Sequence, residues 1–336
     1  MQKITLLTKE QSQTSAGNSF CTVSYDTAAS SRLVNRDFSL DISLPIAPHD
    51  SHDLRVENYP AAIKSAVNQV DGISYVDDGE YLFAALAYQS KAGFYDEVTY
   101  AVYANIFKLI TALGYQQLVR IWNYIPDINQ HNPNGLENYQ DFCAGRAKAF
   151  IDHYDNEQVM PAGTGIGIKS DKVVIFLICK KPQMDLPIIN IENPNQLPAY
   201  QYPQRYGPKS PSFARATLDH LADNMARLYV SGTASIVGHE SIHESVIEQT
   251  NETISNIEAL ISESNLAGKT KGKAIHSRDL DCAKAYVRFS SDVAAVKAIC
   301  QQRFGDVASE KIIYCVADIC REELLVEIEC VYTLGF

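Results

Sequence analysis

The closing stretch LLVEIECVY (324–332) sets two carboxyls into an apolar strand pattern. Alternate residues of a strand share a face, so Val326, Ile328 and Cys330 point one way and Glu327 and Glu329 the other. A solvated outer face is the ordinary reading of such a pattern. If that face is buried, the carboxyls need partners or a task, because burying an unpaired polar group costs roughly 2–7 kcal/mol. A desolvated carboxyl keeps its proton at neutral pH and can act as a general acid. Arg120, Arg146, Arg205 and Arg215 offer the complementary chemistry. Each alone reads as a solvated charge, but together guanidinium groups can grip carboxylates through paired hydrogen bonds.

Two other motifs carry less. HESIH (239–243) matches the H-E-x-x-H zinc pattern, which needs a helix to bring both histidines onto one metal. Gly238 and the strand pattern LYVSGTASIV come just before it, so it is expected in a loop ahead of the helix VIEQTNETISNIEALI, and no downstream G-x-x-H supplies a third ligand. It is read as coincidence, with zinc-dependent hydrolysis a distant alternative. AGTGIGIKS (162–170) has Ile168 where a phosphate loop needs glycine before its lysine, and it leads into a strand. A flexible turn is expected there.

The elements that position these residues come in two copies. YANIFKLITALG and SNIEALISES share Asn, Ile, Leu and Ile in the same spacing, with Asn105 matching Asn256. The strands VVIFLIC and LLVEIEC end at Cys179 and Cys330, so both matches have an offset of 151 residues. YLFAALAYQ matches LYVSGTASI, LVRIWNYI matches AKAYVRFS, and each copy then has a helix, 139–150 and 293–304. The order strand, helix, strand, helix, strand predicts helices packed on one face of a sheet. Aligning the closing strands puts Phe176 opposite Glu327 and Ile178 opposite Glu329. Where the first copy is apolar on both faces, the second carries carboxylates. The Pro-rich connector 190–217 holds Tyr200, Tyr202, Tyr206 and Phe213 interleaved with Arg205, Lys209 and Arg215, a composition suited to folding over a site between the halves.

With 336 residues and 46% hydrophobic content the chain can build two domains with a sizeable core. Its net charge of -11 argues against a nucleic-acid surface, so any anion site must be a local cluster of cations. Residues 1–19 lack the apolar stretch of a signal peptide, and VVIFLIC is too short to cross a bilayer, which predicts a cytoplasmic protein. Eight cysteines without a CxxC pair predict reduced thiols, with neither disulfides nor structural zinc.

The segment from residue 228 onward, with LYVSGTASI, EQTNETISNIEALI and CVADICREELLVEIE, resembles the reactive-intermediate deaminase (YjgF-like) fold. The whole chain, through RIWNYIPDIN, FCAGRAKAF, YGPKSPSFARAT, SGTASIVGHES and VEIE, resembles the chorismatases. That resemblance implies an α/β (α+β) protein of two tandem YjgF-like, chorismate-mutase-like domains, each a mixed sheet with helices on one face. A degenerate N-terminal domain would span 1–189, the connector 190–217, and a C-terminal domain with the catalytic glutamate 218–336. It implies an enzyme that takes chorismate, releases pyruvate and uses neither cofactor nor metal. Glu327 would protonate the methylene carbon of the enolpyruvyl ether. Arg146, Arg205 and Arg215 match substrate-binding segments, with Tyr206, Ser231 and Thr233 as neutral hydrogen-bonding partners.

Cys320, seven positions before Glu327, matches the members that make 3-hydroxybenzoate, whereas hydrolysing members carry a small residue there. The implied product is 3-hydroxybenzoate, with some 4-hydroxybenzoate. The alternative is the hydrolysed dihydroxycyclohexadiene carboxylate, and a second product-linked position lies near Ala234. An imine deaminase or a YjgF-like binding module is a more distant alternative. Those proteins carry an arginine two residues before a Cys-Val pair, where this chain has Ile313 before Cys315 and Val316. YjgF-like proteins are trimers with sites between subunits; a fused pair of domains implies a monomer acting on a small molecule, without nucleic-acid or membrane partners.

Overall fold

The computed structural model of the chain describes residues 4–8, 18–27, 30–48, 55–91, 93–154, 160–221 and 224–336. Much of the leading segment read for a signal peptide lies outside them. Strands β1 (Thr5–Thr8), β2 (Ser19–Tyr25), β3 (Arg32–Asn35), β4 (Leu40–Leu44) and β6 (Arg55–Pro60) form a sheet in the order β1-β6-β2-β4-β3, while β5 (Ala47–Pro48) leaves it to pair elsewhere. This sheet stands outside the repeat and, among the described residues, has no counterpart in the second half.

The first copy follows, with β7 (Asn68–Val70), β8 (Ile73–Asp77), β9 (Tyr81–Tyr88), α1 (Asp96–Ala112), β10 (Gln117–Pro126), α2 (Asn138–His153), β11 (Ala162–Ile168) and β12 (Val173–Lys180). Its sheet runs β11-β10-β12-β9-β8-β7. The second copy comprises β13 (Ile188–Ile191), β14 (Ala216–Leu221), β15 (Met225–Ala234), a small hairpin of β16 (Ile236–Val237) and β17 (Glu240–Ser241), α3 (Val246–Leu260), β18 (Cys282–Val287), α4 (Val293–Phe304), a short α5 (Asp306–Ser309), β19 (Ile312–Val316) and β20 (Val326–Gly335). Its sheet runs β13-β14-β15-β20-β18-β19-β5. With one order reversed and the added edge strand β5 set aside, the two orders correspond strand for strand, including the parallel pairs β10–β11 and β18–β19.

Each copy holds more strands than the sequence pattern predicts: β7, β8 and β11 in the first, and β13, β14 and β19 with the β16–β17 hairpin in the second. AGTGIGI is therefore a strand and not a turn. Its alternating glycines share one face, and neighbours press into the space that side chains would fill: a Cβ on Gly163 would stand 2.8 Å from Phe213, and one on Gly165 2.9 Å from the Tyr139 ring.

Helices α1 and α2 cover the outer face of the first repeat's sheet, burying Tyr103, Phe107 and Ile110 against Leu82, Ile121 and Leu177. Helices α3 and α4 do the same for the second, with Ile254, Ile257 and Val296 against Leu228, Ile328 and Cys330. The inner faces of all three sheets meet in one core, where Tyr25 and Tyr59, Phe83, Trp122 and Phe176, and Tyr229 and Tyr286 pack together. β12 is buried on both faces for this reason, which is why VVIFLIC reads as a continuous apolar run. The eight cysteines are free thiols. Among the described residues no helix is long and apolar enough to cross a membrane.

Candidate active site

The face of β20 that carries Glu327 and Glu329 looks into the shared core, and both residues are buried, at 4% and 5% exposure. The strand registers bear out the sequence alignment. Phe176 and Ile178 lie beside Trp122 and Arg120, while Glu327 and Glu329 lie beside Tyr286 and Lys284. The second copy has exchanged two hydrophobes for carboxyls at a place where water cannot solvate them.

The two carboxyls are treated differently. Glu329 receives Lys284 Nζ at 2.7 Å and the Trp122 indole N–H at 2.9 Å on one oxygen, and Arg120 Nη2 at 3.0 Å and the Thr164 hydroxyl at 2.6 Å on the other. Lys284 also bonds Glu57 at 3.0 Å, so two cations and two anions balance inside the core. Burial alone would raise Glu329, but Lys284 and Arg120, with hydrogen bonds from Lys284 and Thr164, hold it below the usual carboxylate range.

Among the described residues no such cation bonds Glu327. Burial, reinforced by the neighbouring Glu329 charge and opposed by Arg120 and Arg215, pushes it up to about 8. It is protonated at neutral pH. Its carboxyl rests on the backbone of Gly232, where any Cβ would overlap Oε1, so only glycine leaves the acid room.

Glu327 opens onto a cavity of about 190 Å³ built from both repeats and the connector. Helix α2 contributes Tyr139 and Arg146, β11 contributes Gly163 to Gly165, and the connector closes one side with Tyr202, Tyr206, Phe213 and Arg215. Gly232 and Ala234 of β15 and Cys320 and Arg321 ahead of β20 complete it. Three arginines of this wall are buried and have unused donors: Arg146 Nε and Nη2, Arg215 Nε and Arg321 Nη2 have no hydrogen-bond partner among the described residues. Arg146 lies over the Tyr103 and Phe150 rings, Arg321 lies 4.0 Å from the Tyr206 ring centroid, and Arg215 bonds the Tyr202 hydroxyl at 2.6 Å. Aromatic stacking and backbone acceptors fix these guanidinium groups while their remaining N–H groups await an anion. Here is the local cation cluster that a chain of net charge -11 requires.

The curated relatives come from one family. The chain is 43% identical over 265 residues to a 3-hydroxybenzoate synthase of Streptomyces hygroscopicus, covering 77% of this chain and 76% of the relative. The chain belongs to the chorismatase family. Residues 57–179 match the family model described as chorismatase FkbO/Hyg5-like, N-terminal. A chorismatase of Streptomyces rapamycinicus is 41% identical over 263 residues, with 77% and 76% coverage. A crystal structure of a chorismatase superposes with a TM-score of 0.90 at 30% identity, over 98% of both chains.

Among the residues singled out in the sequence, Glu327, Cys320, Arg146, Arg205, Arg215 and Tyr206 line this cavity of the chorismatase fold. Arg205 stands at its exposed rim, bonded to Glu240 at 2.8 Å, the Tyr206 hydroxyl at 2.9 Å and His239 at 3.0 Å. Ser231 and Thr233 are buried on β15 beside the cavity and are not among its lining residues. The register of β15 shifts between Val230 and Thr233, and Gly232 and Ala234 face the cavity in their place. Ser231 bonds the Ala214 carbonyl at 2.6 Å and receives the Gly163 N–H, while Thr233 bonds the Ser231 carbonyl at 2.9 Å. HESIH lies on the β16–β17 hairpin and the bend after it. Its histidines diverge, His239 toward Arg205 and His243 toward Glu252.

Sequence reasoning missed Arg321, Thr164 and the anchoring of Glu329. Arg321 had a usable signal, since it directly follows Cys320 in a segment already singled out. That loop is held from several sides: Arg288 donates to the carbonyls of Ile319, Arg321 and Leu324, Asn129 to that of Ile319, and Gln249 to that of Glu323. Ala234 is fixed likewise, its carbonyl accepting from Asn256, the repeated asparagine of α3.

Proposed function

We propose that this cavity binds chorismate and converts it to 3-hydroxybenzoate and pyruvate, with Glu327 as the general acid. The observation that carries this reading is a buried carboxyl without an ion-pair partner among the described residues, set among three buried arginines with unpaired donors, where burial favours the protonated acid. The arginines hold the two substrate carboxylates, and Glu327 gives its proton to the methylene carbon of the enolpyruvyl ether. A C–H bond forms, and the ether oxygen's electrons stabilise an oxocarbenium ion. The neighbouring ring hydroxyl then attacks the ring carbon that holds the ether, losing its proton as the ether bond breaks and pyruvate leaves, so its oxygen bridges the two carbons. The bridge opens at the carbon that first held the hydroxyl, the oxygen regains a proton, and loss of the proton from the other carbon makes the ring aromatic. Atoms balance without added water. Carbon protonation is slow, so a fixed donor with its proton in place at working pH, in a dry site, is what the step needs.

Cys320 takes the product-directing role in this reading. Burial raises its thiol well above the ordinary range, so it is a neutral, weakly hydrogen-bonding wall next to Glu327 that gives a water little to hold. Were water admitted, it would add to the oxocarbenium ion and yield the dihydroxycyclohexadiene carboxylate. The catalytic carboxyl belongs to the C-terminal domain 218–336, and the N-terminal domain 1–189 and connector 190–217 close the cavity. Every group in the scheme comes from one chain, which supports a monomer, and the cytoplasm is its proposed compartment. Incubation with chorismate, with pyruvate quantified and the ring product separated by chromatography, tests the reading. Equal amounts of pyruvate and hydroxybenzoate are expected, and absence of pyruvate would overturn it.

A further inference from the structure

We propose that Glu329 is a positioning residue whose anchored carboxylate is the fixed negative charge that keeps Glu327 protonated between turnovers. The inference rests on Glu327 being the acid. Glu329 sits two residues along the same strand face, and its four donors leave it no freedom to move or to take up a proton. The connection to the acid is continuous. Thr164 Oγ1 donates to Glu329 at 2.6 Å and accepts the Gly232 N–H at 3.2 Å, and the Glu327 carboxyl rests on Gly232. Thr164 itself lines the cavity. One hydroxyl thus ties the charged carboxylate to the surface that seats the neutral one.

The charge balance makes the division of labour stable. Arg120 and Lys284 are matched by Glu329 and Glu57, so the cluster presents no net positive charge to Glu327. The groups that face Glu327 are Glu329 on its own strand, Arg120 from β10, Arg215 from the connector, Tyr139 from α2 and Cys320 from the loop before β20. Tyr286 is its register neighbour on β18. Arg146, Arg205, Arg321, Glu137 and Glu323 line the same cavity. The arginines of this set favour the ionised acid, the tyrosines and the thiol are neutral, and Glu329 is the bound anion beside it. After each proton transfer Glu327 is momentarily an anion next to a second anion, and recapture of a proton relieves that repulsion.

The test compares pH profiles of kcat/KM for wild type, Glu327→Gln, Glu329→Asp, Glu329→Gln and the double variant Glu329→Gln with Lys284→Met. The double variant removes the cation that Glu329→Gln would strand, which protects folding. Wild type and Glu329→Asp, which keep the charge, should share an alkaline limb. Both Gln variants should lose activity at lower pH, by about one unit or more. An unmoved limb in a folded Gln variant would overturn the proposal. So would failure of both Gln variants to fold, because Glu329 would then serve the stability of the core alone. Glu327→Gln separates two failures. Retained activity there removes the acid assignment itself, whereas an inactive Glu327→Gln with unmoved limbs removes only the role given to Glu329.

Discussion

Glu327→Gln changes activity and stability in opposite directions, and the size of the second effect follows from the burial of one carboxyl. Glu327 has an ordinary value of 4.5, and the folded protein pushes it up to about 8. Between those limits the folded chain holds a proton that the unfolded chain has lost, so this group's contribution to stability is full below pH 4.5 and falls as pH rises to about 8. At about 1.4 kcal/mol per unit of displacement, the loss is about 5 kcal/mol by pH 9. Glutamine has no proton to lose. The stability of the variant relative to wild type should therefore climb by about that amount between pH 4 and pH 9, while turnover falls by roughly 100-fold or more. Urea unfolding of both proteins at a series of pH values gives the difference, and pyruvate release gives the turnover. Parallel stability curves with turnover retained would refute the reasoning, because the carboxyl would then be neither desolvated nor the acid.

Further outcomes follow from the same geometry. Arg146→Ala, Arg215→Ala and Arg321→Ala should each raise KM for chorismate by roughly 10-fold or more, the range for a lost hydrogen bond to a charged group, with lysine rescuing only in part. Arg205→Ala should do less, since Arg205 is exposed and turned to Glu240; steady-state kinetics rank the four. Cys320→Ala should shift product toward the dihydroxycyclohexadiene carboxylate with pyruvate release intact, and an unchanged ratio on chromatography would leave the choice to Ala234. Lys284→Met should destabilise the protein by about 3–5 kcal/mol, because it leaves Glu57 and Glu329 short of a cation in the core. On the acid side, Glu329 stabilises the fold above pH 4.5 and loses that contribution as pH falls below it, measured as acid unfolding that is weakened in the Glu329→Gln, Lys284→Met double variant. Exhaustive chelation should leave activity unchanged.

Much of this was legible in the sequence because two signals were independent of each other. The common offset of the helices and closing strands gave the tandem units, and the strand period put Glu327 and Glu329 on one face. Comparing the copies then turned a solvated-looking pattern into a buried one. What stayed hidden has physical causes. Glycine carries no side chain to alternate, so GTGIG did not register as β11, although its period of two was the available sign of a smooth strand face. Lys284 and Glu57 meet across 227 residues through a sheet that the repeat does not contain, and its short strands share no self-similarity that would have announced it. The placement of Ser231 and Thr233 beside the cavity lining was not legible, because a single register shift in β15 decides which side chains reach the cavity, and no local pattern marks it.

The central claim is that Glu327 delivers its proton to carbon. Turnover of chorismate in deuterium oxide tests it most directly, since the acid proton exchanges with solvent before each cycle. Pyruvate isolated promptly and examined by proton NMR or mass spectrometry should carry one deuterium in its methyl group. Pyruvate formed with an undeuterated methyl group would contradict the account.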